Sequence, residues 1–262
     1  MRTRVLYVAV VDSSTRQHRI LDRLRRDGRV DVADLAAGFG TSEMTVRRDL
    51  DVLAESGVLR RVRGGAVSLL MRGEELPFAM RELEAGAVKQ RIAAAAAGLV
   101  RDGEAVVVDS GTTGLAAAHA LAGRRVTAVP LSLPAATALS SSSAVTLLVP
   151  GGTARHGEGS LVGPMTEAGL AQLRFDTTLL TCCGVSPRGG VTAHDLQDAA
   201  VKRAAVASAS RTVLLAEGAK FARTALALVC PVDALDVVVT DDTAPAAAVA
   251  ELRAAGVEVV LA

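Results

Sequence analysis

The chain has 262 residues, half of them hydrophobic, and a net charge of +1: enough for two domains at about 150 residues each and for a sizeable core. No apolar run is long and charge-free enough to cross a bilayer, so the reading is a soluble, cytoplasmic chain with no membrane partner. Trp is absent, aromatics make up 2% and Asn does not occur. Base-stacking platforms for RNA or single strands are therefore not expected, and the bidentate Asn–adenine contact is excluded.

The charge is unevenly placed. Residues 1–70 carry 13 Arg against 9 Asp and Glu, or +4, which leaves −3 for the remainder. A basic head on a mildly acidic body fits a nucleic-acid reader attached to a ligand-binding domain. Cys182, Cys183 and Cys230 lack CxxC spacing, and His18, His119, His156 and His194 are scattered, so neither a disulfide framework nor a metal or cofactor site is expected.

Residues 1–12 (MRTRVLYVAVVD) are an extension to which no role is assigned. Their apolar stretch is short for a signal peptide and lacks a small-residue cleavage site, leaving a frayed segment, an extra strand or a start placed too early. Thr15 to Asp27 predicts a helix with Ile20, Leu21 and Leu24 inward and Gly28 at its end. Asp31 then caps a short helix whose Val32, Leu35, Ala36 and Phe39 form one stripe, and Gly40 turns the chain. Thr41 or Ser42 caps a second helix with Val46, Leu50 and Leu53 on one face and Met44, Thr45, Arg47, Arg48 and Asp51 on the other. Such a helix buries its aliphatic stripe and turns its arginines toward the DNA major groove. After Gly57, Val58, Leu59 and Val62 alternate with Arg60, Arg61 and Arg63 before Gly64-Gly65, a basic hairpin suited to phosphates. The candidate DNA-binding residues are Ser42, Met44, Thr45, Arg47, Arg48, Arg60, Arg61 and Arg63.

This head spans 13–70, followed by a Gly- and Pro-containing linker at 71–80 and a second domain at 81–262. Phe78, Arg81 and the run from Lys89 to Val100 predict a long Ala-rich helix opening the second domain. Strands follow at 105–108, 126–129, 145–149, 177–181, 212–216, 237–240 and 257–261, with helices at 115–121, 165–173, 198–209 and 246–255. Short Val- and Leu-rich strands alternating with helices indicate an α/β domain with a mostly parallel, Rossmann-like sheet covered on both faces. Ligands of such sheets sit beyond the carboxyl ends of the strands.

At that edge, Asp109-Ser110-Gly111-Thr112-Thr113-Gly114 follows the first strand and opens a helix. Small residues, hydroxyls and a helix N-terminus make a phosphate cradle, though no Gly-Lys-Ser/Thr follows as in a P-loop. Gly151-Gly152-Thr153 with Arg155, Cys183-Gly184-Val185 and Glu217-Gly218-Ala219-Lys220 are the other loops able to converge there. Asp198 and Lys202 stand four apart on one helix, a spacing that a surface pair also satisfies.

Thr45-Val46-Arg47-Arg48-Asp49-Leu50, with Leu53, Gly57 and Arg63-Gly64-Gly65-Ala66, resembles the winged helix-turn-helix of DeoR-type bacterial repressors. The later part is similar, more loosely, to the DeoR effector domain, whose fold resembles ribose-5-phosphate isomerase and glucosamine-6-phosphate deaminase. The resemblance implies a repressor of a carbohydrate or nucleoside operon that binds double-stranded operator DNA as a dimer or tetramer. A phosphorylated sugar would release it. It places Asp109, Ser110, Gly111, Thr112, Thr113, Gly151, Gly152, Arg155, Gly184, Lys202 and Lys220 around the effector. The chain departs from the family at Pro130-Leu131, where Thr-Asn is common, at Glu217-Gly218-Ala219 before Lys220, where Asp-x-Ser is common, and at Asp198, where Glu is expected.

The alternative is a sugar-phosphate isomerase or deaminase with an accessory DNA-binding head. That chemistry needs a carboxylate base and a second acid. Asp109, Asp195, Asp198 and Glu217 are available, but the sequence shows no tight acidic cluster, so no catalytic residue is assigned.

Overall fold

The computed structural model describes residues 13–55, 57–69, 76–83 and 85–262; the extension at 1–12 and linker residues 71–75 lie outside the described residues. The chain divides into two compact units, 1–84 and 85–262.

The first unit contains α1 (Ser13–Asp27), β1 (Arg29–Asp31), α2 (Val32–Phe39), α3 (Glu43–Glu55), β2 (Leu59–Val62), β3 (Gly65–Ser68) and α4 (Phe78–Leu83). The Asp31 carboxylate accepts from Ala33 N at 2.8 Å and starts α2, while Gly40, at φ 62°, ends it in the left-handed conformation that glycine adopts without strain. Ser42 caps α3, its hydroxyl accepting from Thr45 N at 3.2 Å. Ile20, Leu21, Leu24, Val32, Leu35, Phe39, Val46, Leu50 and Leu53 meet in one core. β3 lies between β1 and β2, all antiparallel. The three-residue β1 was not expected; it is too short for a periodicity signal.

The long helix expected from Phe78 onward is two helices. Ala85 takes φ 49°, and α5 runs from Gly86 to Gly98. Leu76 and Met80 are buried in the core of the head rather than that of the sheet domain.

The second unit continues with β4 (Ala105–Val108), α6 (Gly111–Leu121), β5 (Thr127–Pro130), α7 (Leu133–Ser140) and β6 (Thr146–Leu147). A small hairpin, β7 (Thr153–Ala154) and β8 (Leu161–Val162), leads to α8 (Pro164–Ala171) and β9 (Phe175–Thr181). Then come β10 (Gly184–Ser186), β11 (Gly190–Ala193), α9 (Leu196–Ser208), β12 (Ala209–Leu215), β13 (Ala227–Cys230), β14 (Val237–Thr240), α10 (Ala246–Ala254) and β15 (Glu258–Leu261). The main sheet has seven strands in the order β15-β14-β12-β9-β4-β5-β6, all parallel. A separate antiparallel sheet, β10-β11-β13, was not foreseen; its short strands hold several residues with no clean alternation.

Alternate residues of the strands face opposite layers. Val106 and Val108 pack with α5, α6 and α7, whereas Val107 packs with α8 and α9. Leu214 and Val238 meet α10 and the small sheet. The chain winds outward from β4 to β6, then returns to β9 and winds the other way to β15. Right-handed crossovers running in opposite directions put their helices on opposite faces, and the reversal leaves a crevice between the ends of β4 and β9.

Candidate functional site

Two sites emerge, one in each unit. In the head, α3 buries Val46, Asp49, Leu50 and Leu53. Asp49 was not expected inward. It accepts from Ser13 Oγ at 3.1 Å and forms a buried ion pair with Arg16, which ties α1 to α3. The opposite face carries Met44, Arg47 and Arg48 in the open, with Thr45 half-buried. Ser42 and Thr45 also share a hydroxyl hydrogen bond of 2.9 Å, so both serve the cap of the helix. Arg47 pairs with Glu43 at 2.8 Å. Arg61 reaches back from β2 to Asp51 at 3.1 Å and donates to Arg47 O at 3.0 Å. It therefore fastens the wing to α3, while Arg60 and Arg63 are exposed and make no ion pair among the described residues.

In the sheet domain, Asp109 follows β4 and Thr181 ends β9, on either side of the crevice. Asp109 accepts from Ser110 N at 2.7 Å, and from Thr181 N at 2.7 Å and Thr181 Oγ1 at 2.9 Å. It also forms a tight ion pair with Lys202, which comes from α9. Lys202 lies 3.5 Å from Asp198 and 3.3 Å from Thr181 Oγ1, and Ser110 Oγ donates to Asp198 at 3.2 Å. Gly111, Thr112 and Thr113 form the first turn of α6 directly above. The first N–H groups of a helix have no partner within it and carry its positive pole. Gly114 lets that turn descend onto the strand, since a Cβ there would lie 2.0 Å from Asp109 O.

Burial alone would depress the Lys202 ammonium, but Asp109, then Asp198, outweigh it and hold its pKa above the ordinary value. Burial raises Asp198, against the pull of Lys202. Asp109 is 1% exposed with both oxygens engaged, so it positions neighbouring groups from beneath the site.

The remaining expected residues are distributed as follows. Arg155 follows β7, pairs with Asp195 at 3.4 Å and sits 3.5 Å from Ser160 Oγ. Asp195 caps α9, which carries Asp198 and Lys202, so the hairpin is tied to the same helix. Gly151 is exposed; a Cβ at Gly152 would strike Thr166 Oγ1 at 2.0 Å, and Thr166 donates to Gly151 O at 2.7 Å. Gly184 has an equally structural reason, because a Cβ would lie 2.2 Å from Arg223 O. Lys220 is half-buried in a 3-10 turn at Gly218–Ala222.

Three features were missed from sequence. Thr181 is the link across the switch point, signalled only by a hydroxyl at the end of an apolar strand. Lys89, buried in α5, lies 3.9 Å from Glu217; a lone lysine in an Ala-rich stripe was the available signal. The third is the convergence of Asp109 and Asp198 on Lys202 from well-separated stretches of the chain, a meeting that sequence spacing does not show. At the departure from Thr-Asn, Leu131 is buried and Ser132 caps α7, accepting from Ala135 N at 3.4 Å. Among the described residues no His, Cys, Asp and Glu group could hold a metal ion, and no helix is long and apolar enough to cross a membrane.

The family model for the DeoR-like helix-turn-helix domain matches residues 16–70, and that for the DeoR C terminal sensor domain matches 84–242. The chain is 32% identical to the transcriptional repressor AccR of Agrobacterium fabrum, over 86% of this chain and 88% of that one. It is 31% identical to the glycerol-3-phosphate regulon repressor of Haemophilus influenzae, over 81% and 83% of the two chains. It is 30% identical to the lactose phosphotransferase system repressor of Lactococcus lactis, over 88% and 92%. Ribose 5-phosphate isomerase A of Methanocaldococcus jannaschii superposes on 52% of this chain and 54% of its own, with 16% identity and a TM-score of 0.38. Matching models for both head and sensor domain, with relatives alike along most of their length, place the chain in the DeoR family of transcriptional regulators.

Proposed function

We propose that the chain is a repressor of a carbohydrate or nucleoside operon, released from its operator by a phosphorylated sugar bound beside Asp109–Thr113. The observation that carries this reading is the junction of α6 with Lys202 at the switch point. The helix N-terminus there favours an anion and the hydroxyls of Thr112 and Thr113 lie in the same turn, while Lys202 offsets the Asp109 and Asp198 carboxylates beneath it. Relatives named as glycerol-3-phosphate and lactose phosphotransferase repressors support a sugar-linked effector. Exposed Met44 and Arg48, with Arg47 beside them, supply the base-reading face, and Arg60 and Arg63 the phosphate contacts. Arg155, Gly151, Gly152, Gly184 and Lys220 would shape the rim.

The convergence of Asp109 and Asp198 on Lys202 makes an isomerase or deaminase the second reading. The burial of Asp109, with Oδ2 taken by Thr181 N, Thr181 Oγ1 and Lys202, speaks against its acting as the base, because a general base needs a lone pair within reach of the substrate proton.

Thermal unfolding against a panel of sugar phosphates and the matching unphosphorylated sugars tests the proposal. A phosphorylated ligand at 100 times its Kd should add about 2.7 kcal/mol, raising the midpoint by a few degrees, while its parent sugar does not. No shift with any phosphorylated sugar overturns the effector assignment, and turnover of ribose 5-phosphate or glucosamine 6-phosphate would establish the enzyme.

A further inference from the structure

The exposed face of α1 carries a charge cluster that neither the recognition helix nor the wing uses. Arg19, Asp22, Arg23 and Arg26 follow one another at helical spacing and, with Gly38 and Phe39 at the end of α2, line an open cleft of about 240 Å³. The Arg23 guanidinium lies 5.8 Å from the centre of the Phe39 ring, a cation–π distance that fixes its direction. Gly38 leaves room for it, since a Cβ there would come within 3.1 Å of Arg23 Nη2. Arg26 Nε donates to Asp22 O at 3.3 Å, which holds a second guanidinium along the helix. Three cations face one carboxylate, and no ion pair among the described residues neutralises any of the three.

The position of the cleft decides its partner. α2 ends at Phe39, Gly40 turns the chain, and Ser42 caps α3, so the cleft adjoins the N-terminal end of the recognition helix. The tip of the wing lies at the opposite end of α2, where Val32 N donates to Gly64 O at 2.8 Å, and its Arg61 reaches Asp51 and Arg47 O. A helix of 13 residues is about 20 Å long, whereas the major groove is about 12 Å wide and bordered by two phosphate strands. We propose that the α1–α2 cleft is a second phosphate-binding surface of the head, seating the duplex backbone that borders the groove on the side away from the wing. Arg19, Arg23 and Arg26 meet phosphate oxygens there, so that cations stand at the C-terminal end of α2 as the wing stands at its start. This rests on the DNA-binding reading of the head.

The test needs no operator, because phosphate contacts dominate binding to any sequence. The full-length protein binds a random-sequence duplex, and the logarithm of the binding constant is followed against the logarithm of salt concentration. Arg19→Ala/Arg26→Ala should flatten the slope by about 1.8, two contacts at about 0.9 each. Asp22→Asn should bind more tightly than wild type at fixed salt, a gain that a damaged fold cannot give. An unchanged slope in the double variant, while Arg60→Ala/Arg63→Ala flattens it, overturns the proposal. So does an Asp22→Asn variant that binds no tighter. Failure of the wild-type chain to bind the duplex at any salt overturns the DNA-binding reading itself, and this inference with it.

Discussion

Buried charges do different work in the two units, and their removal should show it. Arg16 and Asp49 are 7% and 3% exposed and face one another between α1 and α3. Removing one partner strands the other in the core, so Asp49→Ala should lose about 3–5 kcal/mol in urea unfolding of the full chain. A loss under about 1 kcal/mol, the range of a surface pair, would show that the pair is solvated. Asp241, just past β14, gives a pH dependence. Burial alone would raise its pKa, but hydrogen bonds from Thr243 and from Gly218 N, the latter at 2.7 Å, hold it below the ordinary 3.8. A depressed acid stabilises the fold above its unfolded pKa and loses that contribution as pH falls through the folded value. The wild-type melting temperature should therefore drop on acidification below about pH 3.8, and Asp241→Asn should flatten that part of the curve. Parallel acid limbs for the two proteins would remove Asp241 as the cause.

Elements with strong local signals were legible in the sequence: the amphipathic α2 and α3, their caps at Asp31 and Ser42, and the apolar strands of the main sheet. What was not legible depended on distant partners. The inward turn of Asp49 requires Arg16, 33 residues earlier, and the meeting of Asp109 with Lys202 requires the order of the strands. The strand–helix turn at 109–114 could be read because its sequence describes its own backbone, whereas Thr181 is an ordinary strand residue until β9 lies beside β4. Glycines separate these two kinds of information. Gly114 sits where a Cβ would strike Asp109 O, so Gly114→Ala should lift the first turn of α6, destabilise the fold by about 1–3 kcal/mol and abolish the sugar-phosphate shift. Gly169 lies inside α8 with open space where a Cβ would stand, so Gly169→Ala should gain about 0.5–1 kcal/mol and leave the shift intact. Opposite signs in one assay distinguish a glycine required by packing from one that is merely permitted. Matching signs would remove the close approach at Gly114 as the reason for that glycine.

At the scale of the whole molecule, a sensor domain matters only if occupancy at β4 and β9 changes the affinity of the head for DNA. A ligand shifts such an equilibrium only through unequal affinity for the DNA-competent and released states. Linkage then makes the effect reciprocal. If a saturating sugar phosphate weakens operator binding by some factor, saturating operator must weaken sugar-phosphate binding by the same factor, commonly about 5–150-fold. Both titrations have to be run at one salt concentration, because the +4 head makes the DNA arm steeply salt-dependent while Lys202, buried in its ion pair, is little screened. Lys202→Met removes the buried ammonium and strands Asp109 and Asp198, a loss of about 3–5 kcal/mol in urea unfolding, so its DNA binding is measured at a temperature where the variant is folded. It should abolish the effector-induced change while operator affinity without effector stays at the wild-type value. If that variant still releases DNA when the sugar phosphate is added, the switch does not run through the crevice between β4 and β9. If wild-type operator affinity keeps falling as effector concentration rises instead of levelling off at that factor, the ligand competes for the DNA surface, and the strand-end cradle is not the sensor.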